Sequence, residues 1–67
     1  MLEIFTTEAC PMCSMLKEKM VAKKLDFKEN HDLDEIIKEG FDTVPVLKLD
    51  DGVYLGFGEA NSFINSL

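Results

Sequence analysis

The chain has 67 residues, of which 46% are hydrophobic and 30% charged, a balance that favours a folded globular protein over a disordered segment. This length predicts one domain, residues 1–67, with a small core. The formal net charge of −6 makes nucleic acids and anionic membrane surfaces poor partners, because both repel an acidic chain. A basic docking face on a protein partner suits this charge better.

The sequence also predicts the cellular location of the protein. No apolar run approaches the roughly 18 residues of a membrane span, and the start at Met1-Leu2-Glu3 lacks the basic and apolar segments of a signal peptide. We therefore expect a soluble, cytoplasmic monomer with no membrane partner. The two cysteines of a cytosolic protein are expected to be reduced or catalytic.

The first element is a strand over residues 1–6. Leu2, Ile4 and Phe5 are apolar and Glu3 is its only charge. Because β-branched and aromatic residues favour extended backbone, this pattern predicts a central strand.

Both cysteines follow, in the stretch Cys10-Pro11-Met12-Cys13. If a helix begins there, Pro11 suits its first position, where a missing N–H loses no hydrogen bond. The second thiol then returns one turn later, within reach of the first. Cys10 lies at the N-cap, where free backbone N–H groups and the helix dipole favour a thiolate. The spacing predicts a reversible disulfide in which Cys10 is the attacking sulfur.

Two other interpretations of the cysteine pair are weaker. A structural zinc site needs about four ligands, mostly N or S, and His31 is the only other soft ligand in the chain. A permanent structural disulfide would close a very short loop, which contributes least in the chain-entropy account. Redox chemistry is favoured because this spacing near a βαβ pattern is typical of thioredoxin-like motifs.

The first helix is predicted from Pro11 to about Lys24. Its lysines face water, and its apolar residues recur at helical spacing and are expected to face the core, except Met12, which lies between the cysteines and must be near the active surface. These apolar residues are Met12, Met15, Leu16, Met20 and Val21. Residues 25–30 then predict a weaker strand, anchored by Phe27 and suited to a sheet edge.

A short second helix is predicted to begin at Asp32, because Asp at the N-cap with Glu35 three residues later matches a capping box. Gly40 is placed to end it in a left-handed conformation. The buried face is expected to consist of Leu33, Ile36 and Ile37. His31 is interpreted as a polar residue at the junction before this helix.

The last third of the chain predicts a hairpin and a helix. Strands over 44–49 and 53–55 flank Asp50-Asp51-Gly52, and Asp-Gly is a strong hairpin signal, so these strands should pair antiparallel. An amphipathic helix should begin near Gly58 or Glu59. Its apolar face is Ala60, Phe63, Ile64 and Leu67. The first two strands, joined through the Cys10 helix, should be parallel.

This order of elements, together with Cys10-Pro11-Met12-Cys13 and Thr43-Val44-Pro45, resembles the glutaredoxin family over essentially the whole chain. The resemblance implies an α/β protein with the minimal thioredoxin fold, β-α-β-α-β-β-α, which is a four-stranded mixed sheet with three helices. It also implies a cis bond before Pro45 and a Val44 backbone that pairs with the substrate. The family's motif typically reads Cys-Pro-Tyr-Cys, so Met12 departs from it.

Glutathione users in that family usually carry a basic residue three positions before the first cysteine, where this chain has Thr7. They also usually carry two glycines followed by an acidic residue, where this chain reads Gly56-Phe57-Gly58-Glu59. Carboxylates at Glu8, Asp42 and Glu59 should repel the anionic tripeptide. The short length and the Gly56-Phe57 pair look more like the glutaredoxin-like redoxins that donate electrons to ribonucleotide reductase and are recharged by thioredoxin reductase.

The resemblance implies a thiol–disulfide oxidoreductase that reduces protein disulfides, in which Cys10 attacks and Cys13 resolves. The implied substrate contacts are Pro11, Met12, Thr43, Val44, Pro45, Gly56, Phe57, Gly58 and Glu59. No metal or resident cofactor is expected, and glutathione is the candidate co-substrate. Two other functions stay open: a glutathione-dependent glutaredoxin that reduces glutathione mixed disulfides, and a binding module in which two chains share an iron–sulfur cluster through Cys10.

Overall fold

Four strands and three helices make up the computed structural model, which describes residues 1–67. In chain order they are β1 (Leu2–Phe5), α1 (Pro11–Ala22), β2 (Phe27–Asn30), α2 (Leu33–Lys38), β3 (Val46–Lys48), β4 (Tyr54–Leu55) and α3 (Phe57–Asn65). The strands form one sheet in the order β2-β1-β3-β4. Strand β1 pairs parallel with β2 and antiparallel with β3, and β3 pairs antiparallel with β4. The predicted α/β fold, a minimal thioredoxin-like arrangement, is confirmed.

Side chains alternate across the sheet, so its two faces carry separate apolar clusters. On one face, α1 and α3 cover a cluster that we call the major core, in which every residue is fully buried. Its members are Ile4, Leu16, Met20, Leu47, Ala60 and Ile64. On the opposite face, α2 covers the minor core, which is Phe5, Ile36 and Val46. Strand β1 supplies a fully buried residue to each core, as expected of the predicted central strand.

The orientation of α1 differs from the prediction. The helix buries Cys13, Leu16 and Met20, whereas Met15 is 40% exposed and Val21 is 64% exposed. The predicted apolar face is confirmed at Leu16 and Met20 but wrong at Met15 and Val21, because Cys13 occupies a core position. With Cys13, Leu16 and Met20 facing the sheet, Met15 and Val21 lie on opposite flanks of that line and reach solvent. Met12, 43% exposed, stays near the surface as predicted.

The capping of α2 also differs from the prediction. Asp32 is the N-cap and accepts a hydrogen bond from the N–H of Asp34, at 3.2 Å. The Asp32 N–H, however, donates to the Asn30 side chain at 2.7 Å, so Glu35 does not complete a capping box. Gly40 follows the helix with φ of 93°, the left-handed conformation that was predicted. Ile37 is 59% exposed and lies outside the buried face.

Several elements begin or end at residues other than those predicted, for local reasons. Strand β2 omits Leu25, because the Leu25 N–H returns to the Met20 carbonyl at 3.0 Å and closes α1. Strand β3 begins after Pro45, which has no N–H to donate to a sheet. It ends before Leu49, whose N–H bonds the Val53 carbonyl at 2.8 Å in the hairpin. Helix α3 begins at Phe57, slightly earlier than predicted, and leaves Leu67 55% exposed.

Candidate active site

The two cysteines lie across the first turn of α1. Cys10 is the N-cap, with extended backbone at φ −129° and ψ 98°, and Pro11 opens the helix as predicted. Cys10 and Cys13 form a disulfide with a Cα–Cα distance of 5.2 Å. The backbone N–H of Cys13 donates to Cys10 Sγ at 3.1 Å. The helix start therefore places both a sulfur partner and a hydrogen-bond donor against Cys10 Sγ.

The two sulfurs are not equally accessible. Cys13 is only 1% exposed and belongs to the buried residues of α1, whereas Cys10 is half-buried at the surface. Pro11 and Met12, between them, are both exposed. An incoming reactant can therefore contact Cys10, whereas Cys13 is shielded from solvent.

The segment between β1 and Cys10 contains a buried hydroxyl. Thr6 continues the pairing of β1, because its N–H donates to the Asn30 carbonyl at 3.1 Å. Its side chain is 1% exposed, and Oγ1 has no hydrogen-bond partner in the protein. Burying a hydroxyl without a partner disfavours the folded state.

The segment Thr43-Val44-Pro45 reaches the same end of the sheet as the disulfide. The antiparallel register pairs Phe5 with Val46, so Pro45 falls opposite Thr6, in the segment that leads to Cys10. The Val44–Pro45 bond is cis, as the resemblance predicted. Pro45 is fully buried, Val44 is half-buried and Thr43 is exposed.

The start of α3 lies at this end as well. Leu47 pairs with Leu55, so the same register places Gly56 opposite Val46. Gly56 is the N-cap of α3 and makes no side-chain cap hydrogen bond. Gly58 and Glu59 are exposed in the first turn, and Phe57 packs against the major core. The register and topology thus gather the three predicted segments, 10–13, 43–45 and 56–59, at one end of the sheet.

The charge at this end is acidic. Glu8, Asp42 and Glu59 are all exposed there, and the segments 6–13, 41–46 and 56–60 contain no lysine. Two of the lysines elsewhere are engaged in ion pairs: Lys17 with Glu29 at 2.8 Å, and Lys48 with Glu35 at 3.4 Å. The Lys17 hydrogen bond and charge lower the pKa of Glu29.

A polar group that the sequence analysis missed lies on the minor-core side. Tyr54 Oη donates to Glu35 Oε2 at 2.8 Å, and Lys48 Nζ lies 5.3 Å from the centre of the Tyr54 ring. The Tyr54 hydrogen bond, followed by Lys48, lowers the pKa of Glu35, and the same hydrogen bond raises the pKa of Tyr54. Lys48 and Tyr54 are cross-strand partners, which the hairpin signal could have indicated. Nothing in the sequence pointed to Glu35 as the partner of Tyr54, because its spacing from Asp32 predicted only a capping box.

An apolar cleft of about 150 Å³ lies between α2 and the 41–44 segment. Its lining is Leu33, Ile36, Ile37, Phe41, Asp42, Thr43 and Val44. No three His, Cys, Asp or Glu side chains converge as they would around a metal ion.

None of the three helices combines the length and the apolar character needed to cross a membrane.

Comparison with known proteins gives the family. The chain is 30% identical to an uncharacterized glutaredoxin-like 8.6 kDa protein in the rubredoxin operon of Clostridium pasteurianum. The match extends over 69 residues and covers 90% of this chain and 89% of the relative. This chain belongs to the glutaredoxin-like family. No protein-family profile and no solved structure matches this glutaredoxin-like chain.

Proposed function

We propose that this glutaredoxin-like protein is a cytoplasmic dithiol reductase of protein disulfides. The observation that carries the proposal is the asymmetric cysteine pair: Cys10 is reachable at a helix N-cap, and Cys13 is 1% exposed one turn behind it. A reachable sulfur with a donor N–H at 3.1 Å suits a thiolate nucleophile. A shielded second thiol suits a group that attacks only after the first has reacted.

The reaction transfers two electrons through one intermediate. The Cys10 thiolate attacks one sulfur of the substrate disulfide; the substrate S–S bond breaks, and the leaving sulfur takes a proton. Cys13, as its thiolate, then attacks Cys10 Sγ in the mixed disulfide. The second substrate thiolate leaves and is protonated, and the Cys10–Cys13 disulfide forms. An external dithiol, supplied by thioredoxin reductase, returns two electrons to that disulfide.

The other two segments at this end would hold the substrate. We infer that the backbone of Val44 pairs with an extended chain next to the substrate cystine, beside Thr43 and Pro45. Pro11 and Met12 on one side, and residues 56–59 on the other, would border that chain. The acidic rim favours a partner with a basic surface around its disulfide.

The chain's relative lies in a rubredoxin operon, which suggests a redox protein as partner here too. Ribonucleotide reductase is the substrate that the family resemblance proposes. In this function the protein acts as a monomer, as one domain, and needs no resident cofactor.

Alkylation and trapping test the cysteine roles. At mildly acidic pH, iodoacetamide should label Cys10 of the reduced protein much faster than Cys13. Cys10→Ser should abolish reduction of protein disulfides, and Cys13→Ser should accumulate a mixed disulfide with the substrate. Equal labelling of the two thiols, or a Cys10→Ser variant that still turns over, would contradict the assignment.

Reduction of glutathione mixed disulfides is the second candidate. It is favoured by the start of α3, where Gly56 provides no side-chain cap and leaves backbone N–H groups free for the γ-glutamyl carboxylate. Glu59 in the same turn and the absence of a basic residue at Thr7 oppose it. Recharging assays with glutathione or thioredoxin reductase separate the two functions, and we expect glutathione to be slow. Thr7→Lys should speed recharging by glutathione and leave recharging by thioredoxin reductase unchanged.

The third function, an iron–sulfur cluster shared by two chains through Cys10, has a direct readout. Protein purified without oxygen would then show visible absorbance and run as a dimer, and Cys10→Ser would lose both. We expect a colourless monomer.

A further inference from the structure

Two of the segments proposed to hold the substrate, 43–45 and 56–59, lie beside one aromatic ring, that of Phe41. A Cβ placed on Gly56 would lie 3.6 Å from Phe41 Cε1, so the Phe41 ring lies directly against the start of α3. Val44 and Phe41 both pack against the minor core. Phe41 therefore lies at the junction of the 43–45 and 56–59 segments.

The position of Phe41 depends on α2 and on Tyr54. The Phe41 N–H donates to the Ile36 carbonyl at 3.0 Å, which ties it to the end of α2. The ring centres of Phe41 and Tyr54 are 6.4 Å apart at an angle of 39°, and those of Phe5 and Tyr54 are 6.2 Å apart. Tyr54 thus lies between Phe5, which is buried in the sheet, and Phe41.

Tyr54 is in turn oriented by α2. Its hydroxyl donates to Glu35 Oε2 at 2.8 Å, and Lys48 Nζ approaches the same oxygen at 3.4 Å. Helix α2 has six residues, too few to be stable alone, so it relies on contacts of this kind to stay on the sheet. We call Glu35, Phe41, Lys48 and Tyr54 the Tyr54 cluster.

We propose that Glu35 and Tyr54 are positioning residues for the protein substrate: their hydrogen bond holds α2 and Phe41 on the hairpin and so sets the separation of the 43–45 and 56–59 segments. This inference rests on the proposed function, and adds two residues that touch neither the cysteines nor the substrate. Pre-organised segments bind an extended chain more tightly, because less ordering is needed on binding. Loss of the hydrogen bond should therefore weaken substrate binding and leave sulfur chemistry unchanged.

The test uses Tyr54→Phe, which keeps the ring and removes only the hydroxyl. For reduction of insulin disulfides, we expect KM to rise roughly three- to tenfold with kcat unchanged. For the small disulfide 5,5′-dithiobis(2-nitrobenzoic acid), kcat/KM should not change, nor should the rate at which iodoacetamide labels Cys10. Glu35→Gln, whose amide oxygen can still accept from Tyr54, should fall between wild type and Tyr54→Phe.

Glu39→Gln is the matched control, because it removes the same charge from an exposed glutamate directly after α2. It should behave as wild type. An unchanged KM for insulin in Tyr54→Phe, or equal losses on insulin and on the small disulfide, would overturn the proposal.

Amide hydrogen exchange provides a readout that does not need activity. In Tyr54→Phe, exchange should speed up at residues 41–46 and 56–59, with α1 unchanged. If those segments do not respond, the positioning role is wrong. If exchange at these segments speeds up but the wild-type protein cannot reduce insulin, the proposed function is wrong. Glu35 and Tyr54 would then still position the two segments, but not for a protein disulfide substrate.

Discussion

The two faces of the sheet hold their helices by different means. On the major-core face, α1 and α3 bury six residues that are all 0% exposed. On the minor-core face, the six-residue α2 contributes Ile36 to a cluster of three, and an aromatic ring and a hydrogen-bonded carboxylate complete the attachment. The close-packed apolar contacts of the major core tolerate little displacement of α1 and α3. The few polar and aromatic contacts that hold α2 can be removed one at a time by substitution.

The cysteine pair and the proposed substrate-binding segment divide along the same line. The disulfide lies at the start of α1, whose Leu16 and Met20 belong to the major core. The 41–45 segment packs against the minor core through Phe41 and Val44. We infer that the chemistry is held by the more rigid face and substrate recognition by the more adjustable one. Variants on each face can test this division.

The largest effect is expected in the major core. Leu16→Ala should lower the free energy of unfolding by about 2–5 kcal/mol, because it leaves a cavity at a fully buried site. A domain of this size has only about 3–5 kcal/mol in total, so much of the protein should unfold. Urea titration followed by circular dichroism measures this loss. Val21→Ala on the same helix, at a 64% exposed site, should change stability by less than about 0.5 kcal/mol. Similar losses for both would refute the assigned orientation of α1.

A smaller effect is expected in the minor core. Ile36→Val should cost about 0.5–1.5 kcal/mol, and Ile37→Val, at a 59% exposed site, should cost almost nothing. If the two faces divide as we infer, Ile36→Val should also raise KM for insulin disulfides without slowing the labelling of Cys10. Slower labelling would mean that the minor core also supports the cysteines.

Thr6 allows a change in the opposite direction. Thr6→Val keeps the shape of the side chain and removes a buried hydroxyl that has no partner, so it should raise the free energy of unfolding by about 1 kcal/mol. Thr7→Val, at the partly exposed neighbour, should be nearly neutral. A destabilised Thr6→Val would show that the hydroxyl makes a favourable interaction in solution. Thermal unfolding of the two variants decides between these outcomes.

The smallest effect is the pH dependence that Glu35 contributes. The Tyr54 hydrogen bond and Lys48 lower its pKa below the ordinary 4.5, so its stabilisation is present above about pH 4.5 and is lost as pH falls through the lower folded pKa. The stability difference between wild type and Glu35→Gln should therefore shrink on acidification below pH 4.5. A difference that stays constant into acid would mean that Glu35 is not held in its charged form.

The features that could be predicted from the sequence alone were local. The helix start at Pro11, the N-cap role of Cys10, the left-handed Gly40 and the Asp-Gly hairpin all depend on hydrogen bonds and backbone preferences within a few residues, and all were predicted correctly. Alternating and helical apolar patterns also indicated the order of the elements, because burial demands the same period wherever an element packs.

Which groups meet across the fold depends on tertiary packing and could not be predicted from the sequence. Sequence spacing placed Met15 and Val21 in the core, but the sheet faces the side of α1 that carries Cys13. Spacing also assigned Glu35 to a capping box, but its carboxylate found the hydroxyl of Tyr54, which is 19 residues away in the chain. A helix has several apolar flanks and a carboxylate can accept from many donors. The choice among them depends on the surface that packs against each element, and that surface comes from distant parts of the chain.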